Sequence, residues 1–295
     1  MTSHPHLAQR LFNRPLAIRE DKAELVMAAL ADRFGVARLF RADGTAVILA
    51  NDDWTEGVEA GEYRGYDVIS GVARIPVEGT LVAKLGSLRP YSGMTGYDGI
   101  RAAFLMALND ASVEAIVLDI DSPGGEVAGL FDLVDLIYRA RGRKPIWAIL
   151  SDCAYSAAYA LASACDRIFV PRLGGVGSIG IICMLTDISR GLDKDGVTVN
   201  IIRHGAHKAE GNPFEALSDD ARGRIQAEID VAGELFISTV ARNRGLKPAA
   251  IANLNAECFT GLPGARPGAV EIGLADAVMA PDEAFRALLD QLDAA

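Results

Sequence analysis

Three short runs of the chain carry side chains that could perform acyl transfer. In Cys153-Ala154-Tyr155-Ser156-Ala157-Ala158-Tyr159-Ala160, Ser156 sits where an apolar strand pattern gives way to a small-residue helix pattern. Its neighbours are small enough to leave the hydroxyl accessible. A serine there is a nucleophile if a base takes its proton, and otherwise a helix N-cap. In Arg203-His204-Gly205-Ala206-His207-Lys208-Ala209-Glu210-Gly211-Asn212-Pro213, a loop after an apolar run, Lys208 could be such a base. It would have to be neutral, so its pKa must fall from about 10.4 toward roughly 7 or 8. That requires the site to disfavour the ammonium by roughly 3 to 5 kcal/mol, which burial against apolar walls can do. Glu210 and Glu215 would oppose it if they faced the amine. In Asp121-Ser122-Pro123-Gly124-Gly125, two glycines let the backbone turn sharply and approach a ligand closely. Amides there, at a helix N-terminus, would suit an oxyanion. The same run also reads as an ordinary strand-to-helix turn.

A histidine could replace the lysine. The chain has four histidines, and only His204 and His207 lie outside the N-terminal leader. A Ser–His–Asp triad would draw on one of them, with Asp119, Asp121 or Asp152 as orienter. In an extended segment His207 and Lys208 point to opposite sides, so one of them at most faces Ser156. The residue types do not choose between them. A metal site is not expected, since no third ligand has recognisable spacing. The glycine-rich run Gly174 to Ile181 lacks the Gly-Lys-Ser/Thr of a phosphate loop and precedes a strand pattern, against a dinucleotide fingerprint. It reads as a tight turn, or as the place from which Ser178 positions the base.

The elements that must hold these residues follow from periodicity. Residues 68–77 and 80–83 read as strands joined by a turn at Glu78-Gly79, and residues 97–109 as a helix. The run 114–121, with the apolar stretch Ala115 to Leu118 at its centre, reads as a buried strand ending in Ser122-Pro123-Gly124-Gly125. A helix over 126–141 follows, with Leu130, Val134, Ile137 and Tyr138 at helical spacing. Residues 145–151 form the next buried strand and 155–165 a helix. Strands are expected near 167–170, 178–185 and 198–203, then a long helix over 218–242 and a helical C-terminus. Strands alternating with helices indicate a mostly parallel α/β sheet with flanking helices. The expected division is an N-terminal helical leader and linker over 1–66, a main domain over 67–280 and a helical tail over 281–295. Within the leader, Asp21 caps a helix whose stripe is Leu25, Val26, Ala29, Leu30 and Phe34, ended by Gly35.

Composition narrows the function classes. Half of the 295 residues are hydrophobic, which suits a buried core, and the formal charge of −10 argues against a nucleic-acid groove. Cys153, Cys165, Cys183 and Cys258 are scattered without CxxC spacing, as reduced thiols of an intracellular protein are. The first residues lack a signal-peptide pattern and no window reaches the ~18 apolar residues of a membrane span. A soluble cytoplasmic protein without cofactor, nucleic-acid partner or membrane contact is expected.

Four motifs in order, DIDSPGGEVAG, AYSAAYALASACD, VGSIGI and the strand pattern ending RHGAHK, resemble the signal peptide peptidase A family of the Clp protease/crotonase structural group. The resemblance runs over about residues 70–279. The runs RPYSGMTGYDGI and KAEGNPFEALSDDAR, with NRPL in the leader, are similar to its capsid-assembly (prohead) protease branch, the head protein C type. That resemblance implies a Clp protease/crotonase-like fold and a serine endopeptidase with a Ser–Lys dyad. Ser156 would be the nucleophile, Lys208 the general base, Ser178 the partner of the lysine amine, and Gly124 and Gly125 the oxyanion turn. The family often has glycine directly after the nucleophile, where this chain has Ala157. The resemblance further implies a phage or prophage origin, and a homo-oligomer whose active site lies at or near a subunit interface. It implies scaffold, portal or capsid proteins as substrates, the protease itself among them, met in the host cytoplasm or inside the procapsid. That branch commonly carries a scaffold extension, so a separate scaffold product or a trimmed form is expected here. Two other readings stand beside it. A crotonase-type acyl-CoA enzyme would explain the glycine turn but leaves Ser156 and Lys208 without a joint task. A capsid scaffold component with a vestigial site would leave both side chains idle.

Overall fold

In the computed structural model the described residues are 65–85 and 93–294, with the backbone of 16–18. The helix expected over residues 21–35 and most of the linker lie outside them. Apolar runs long enough to be buried on both faces form the centre of the sheet. These are β3 (Val72–Val82), β5 (Ala115–Glu126), β6 (Ile146–Tyr155) and β7 (Arg167–Val170). They are parallel, and the described sheet runs β10-β7-β6-β5-β3-β2, with β2 at Asp67–Ile69 and β10 at Ala277–Val278. Short strands extend it: β1 (Leu16–Ile18) antiparallel to β5, β4 (Met94–Gly96) parallel to β3, and β8 (Gly175–Gly177) between β6 and β9 (Cys258–Thr260).

The crossovers are helical. α1 (Tyr97–Asn109) precedes β5, α2 (Leu130–Ala140) joins β5 to β6, and α3 (Ala157–Ser163) joins β6 to β7. Successive strand residues point to opposite faces, so the sheet carries two cores. Ile116, Leu118 and Ile120 pack with Ile100, Phe104, Leu133, Ile137 and Tyr159 of these helices. Ala115, Val117, Trp147, Ile149 and Phe169 pack on the other face with Ala284 and Leu288 of the C-terminal helix, Pro281–Asp293. The expected mostly parallel sheet with flanking helices is what the chain builds.

Local expectations are corrected at four places. The hairpin turn falls at Ser70-Gly71, where φ is 50° and 77° as a primed two-residue turn requires, and not at Glu78-Gly79. Glu78-Gly79 is instead a bulge inside β3, marked by a register shift between Glu78 and Thr80. The run Ser122 to Gly125 remains strand, because Thr80 and Leu81 pair with Gly124 and Gly125 and Ala154 pairs with Ser122. α2 starts only at Leu130, after Gly129 in the left-handed conformation. The strands expected near 178–185 and 198–203 do not form. Beyond Gly177 the chain is irregular, and Val197, Val199 and Ile202 stand 47%, 40% and 97% exposed. The long helix, α5, spans Asp219–Arg244 and is capped by Ser218, whose side chain accepts the Ala221 N–H. Between α3 and α5, Ser189–Lys194 forms a short helix, α4.

Candidate active site

Ser156 occupies the junction of β6 and α3 with φ 53° and ψ −118°, a conformation that costs a non-glycine residue on the order of 1–3 kcal/mol. The surroundings hold it there. Its N–H donates to Gly177 O at 2.8 Å, and its carbonyl accepts the Ala160 N–H at 3.0 Å, fixing the first turn of α3. The side chain makes no capping bond. Its Oγ instead lies 3.5 Å from Gly180 O and is thereby aimed out of the helix, although the residue is only 1% exposed. Ala157 is the first residue of α3, so the alanine stands in a helical conformation that needs no glycine.

Every residue of α3 is buried. Its C-terminal end is fastened by Arg141, whose guanidinium donates to Ser163 O at 2.8 Å, Ala164 O at 2.8 Å, Asn243 O at 3.2 Å and Cys165 O. Arg141 also lies 4.6 Å from the Tyr138 ring centroid. Asn243 Nδ2 donates to Ser163 Oγ at 2.9 Å, tying the same end to α5.

The glycine pair reaches the same corner through strand pairing. Ser122 is opposite Ala154, two residues before Ser156. Gly124 has φ 107°, and a Cβ on Gly125 would lie 1.8 Å from Leu81 O, so neither position tolerates a side chain without backbone movement. The glycine amides sit at a strand end and not at a helix N-terminus, as the strand Ala115–Glu126 runs through them. Ser122 Oγ donates to Gly79 O at 2.6 Å and accepts the Gly124 N–H at 3.2 Å, fastening the bulge of β3 to the turn. Glu126, 3% exposed, closes the strand: its Oε2 accepts the Ala83 N–H at 2.6 Å and its carbonyl accepts the Tyr97 hydroxyl at 2.7 Å. Burial, with the nearby Glu126 charge, pushes the Tyr97 phenol well above its ordinary pKa. Ser122, Glu126 and Arg141 were not singled out from sequence. Their partners lie far along the chain, and only Ser122 had a signal, its place in the glycine motif.

Ser178 follows Gly177 directly and has φ 53°, with its N–H donating to Glu257 O at 3.0 Å. Because the carbonyls of Gly177 and Gly180 receive the N–H and hydroxyl of Ser156, Ser178 belongs to the same corner. Lys208 does not join it by any hydrogen bond among the described residues, and lies on an exposed stretch of loop. The acids beside it are engaged elsewhere. Glu210 is held down to a pKa of about 2 by bonds from Arg224 and His207, and Glu215 takes Arg203 at 3.4 Å and Asn212 at 3.2 Å. His207 Nδ1 lies 2.6 Å from Glu210 Oε1 on the exposed face, and His204 is exposed. Asp119, a possible histidine orienter, accepts Ser151 Oγ at 2.7 Å instead. Asp121, Asp152 and Cys153 bring possible ligand atoms within 4.8 Å of one another, both aspartates being exposed. No disulfide forms among the described cysteines, and no helix among the described residues is long and apolar enough to cross a membrane.

Fold and site together define a mostly parallel α/β protein with a serine set on a strained strand-to-helix turn beside a glycine-bearing strand end. The chain belongs to peptidase family S49, whose model matches residues 139–294, a span that includes Ser156, Ser178 and Lys208. It is 39% identical over 294 residues to the head-tail preconnector protein GP5 of Enterobacteria phage P21, covering 98% of this chain and 58% of that protein. It is 36% identical over 296 residues to the capsid assembly protease C of Escherichia phage lambda, covering 98% and 66%. A putative signal peptide peptidase SppA of Enterococcus faecium is 28% identical over 184 residues, 61% of this chain and 51% of that one. The chain thus spans 58% and 66% of the length of the two phage relatives. The likeness to signal peptide peptidase A read from the four motifs, and that to its capsid-assembly branch read from the RPYSGMTGYDGI, KAEGNPFEALSDDAR and NRPL runs, are borne out.

Proposed function

We propose that the chain is a serine endopeptidase that cleaves proteins of the phage head during its assembly. The observation that carries the reading is Ser156, held at φ 53° on the β6–α3 turn with its hydroxyl freed from capping. Ser156 Oγ attacks the scissile carbonyl while the Lys208 amine takes the hydroxyl proton. The C–N bond breaks as the same proton passes to the leaving amine. Water, deprotonated by the lysine, then hydrolyses the acyl-serine ester and regenerates both groups. Ser178 orients the lysine amine, and main-chain N–H groups of the Gly124-Gly125 turn receive the oxyanion. The substrates are scaffold, portal or capsid proteins and the protease itself, met in the host cytoplasm or inside the procapsid.

The active unit is a homo-oligomer. A lysine acts as a base only when its ammonium is desolvated, and Lys208 is exposed in the single chain. Val197, Val199, Ile202 and Phe214, from the same irregular segment, are exposed with it. A second copy packed on this segment would bury the apolar side chains and dry the lysine together.

The test is cleavage of a procapsid protein by the wild type, Ser156→Ala and Lys208→Ala. Each substitution is expected to cost about a thousandfold or more, and His207→Ala little. Full activity in either dyad variant sinks the dyad, and loss in His207→Ala with activity kept in Lys208→Ala moves the base to histidine. Mixing the two inactive variants restores part of the activity if sites are shared between copies. An active monomer in sedimentation refutes the sharing.

A further inference from the structure

The strand edge that carries the glycine pair is already occupied. β1 pairs antiparallel with the end of β5, Leu16 opposite Glu126, Ala17 opposite Gly125 and Ile18 opposite Gly124. On its other edge the same stretch of β5 pairs with β3. β6 borders β5 on the β1 side only as far as Ala154 opposite Ser122, and then turns into Ser156. β1 therefore continues the sheet along the edge that β6 leaves, starting two residues past the last β6 pair. Its direction matters as much as its place. Running from Glu126 towards Gly124, it points its C-terminal end at the Ser156 turn.

An extended peptide offered to Ser156 through main-chain hydrogen bonds would need those same positions on β5. Strand addition to a sheet edge takes its affinity from backbone groups and accepts many sequences. We propose that Leu16–Ile18 is an internal occupant of this docking strand, so that the chain's own leader competes with a protein substrate for the Gly124–Glu126 edge. The inference rests on Ser156 being the nucleophile of a peptidase. Two further observations support it. Ser156 is 1% exposed, so in this state the nucleophile is closed to a substrate and something must move before one binds. The three pairs of β1 are also too few to be stable alone, and they persist because a tethered segment competes at an effective concentration on the order of millimolar. A substrate or a second copy that offers a longer strand would displace it.

Ala17→Pro and Ile18→Pro in the full chain test the proposal. Each removes one N–H, and adjacent residues of an antiparallel strand face opposite ways, so one of the two must break the ladder. The expected result is faster hydrogen exchange, in at least one variant, at whichever of the Gly125 and Glu126 amides faces β1. In the same variant, KM for unfolded casein should fall about tenfold with kcat kept, as it must if the leader holds the edge roughly nine-tenths of the time. A synthetic peptide of residues 13–18, added in trans, should raise KM again. Unchanged exchange in both variants overturns the occupancy, and faster exchange with unchanged KM overturns the competition. A wild type without Ser156-dependent cleavage overturns the peptidase reading instead, while protected amides that open in a proline variant would still uphold the pairing.

Discussion

The two side chains of the proposed dyad stand in opposite surroundings. Ser156 is 1% exposed, and its backbone N–H and carbonyl and its hydroxyl are each held by a named atom of β8, α3 or the segment after β8. Lys208 lies in a loop whose neighbours Ile202 to His207 are all exposed. The first region is built by a parallel sheet with a core on each face, so one chain suffices to place its atoms. The second has apolar side chains that stand exposed among the described residues. A sheet fixes a nucleophile locally, whereas a lysine base needs burial that this loop does not supply by itself.

The sharpest way to break the sheet-built half is Gly125→Ala. The new Cβ would meet Leu81 O at 1.8 Å, a main-chain atom held in the β3–β5 ladder, so β5 and β3 must part. Moving an oxyanion donor costs about a hundredfold to a thousandfold in kcat. Cleavage should therefore fall by at least that factor, with KM and thermal midpoint measured beside it. Normal kcat in a folded Gly125→Ala protein would mean that the turn plays no part in the chemistry.

Arg141→Met tests whether the same half depends on its remote fastening. The guanidinium serves four main-chain carbonyls at the end of α3 and α5, and methionine serves none. Leaving buried acceptors unpaired costs roughly 1–3 kcal/mol each, partly relieved by water, so unfolding free energy should drop by about 3 kcal/mol. Urea unfolding reads this directly. Arg141→Lys should recover only part of it, because an ammonium cannot fork to several carbonyls at once. A drop below about 0.5 kcal/mol, the size of a surface change, would show that α3 is held by packing alone.

How much of this was legible in the chain depends on whether the partner of each residue is near in sequence. The helix over Tyr97–Asn109 and the strand Arg167–Val170 stand where periodicity and composition put them, because each is decided by its own side chains. Ser122 to Gly125 reads locally as a turn, yet pairing with β3 on one side and β6 on the other keeps it extended. The strand patterns near 178–185 and 198–203 record only that one face seeks burial. They do not say that a neighbouring strand exists in the same chain, and among the described residues only a single bridge, at Ile182, forms there. Arg141 and Glu126 could not be found this way, since the carbonyls and amide they serve come together only on folding. The three residues of β1 are too short a pattern to announce a strand.

The loop half is tested most gently by Ile202→Ser. Ile202 is 97% exposed, so within a single chain the change removes no packing, and unfolding of the isolated chain should move by less than about 0.5 kcal/mol. If a second copy covers the segment, the same isoleucine is buried in the assembly, where one such side chain contributes roughly 1.5–3 kcal/mol. That corresponds to a weakening of association by about tenfold or more, read by sedimentation across a dilution series. Cleavage should then become concentration-dependent, recovering as the variant is concentrated, because the lysine is dried only in the assembled form. Unaltered association and activity in Ile202→Ser would place the interface elsewhere and leave Lys208 to find its burial from another part of the chain.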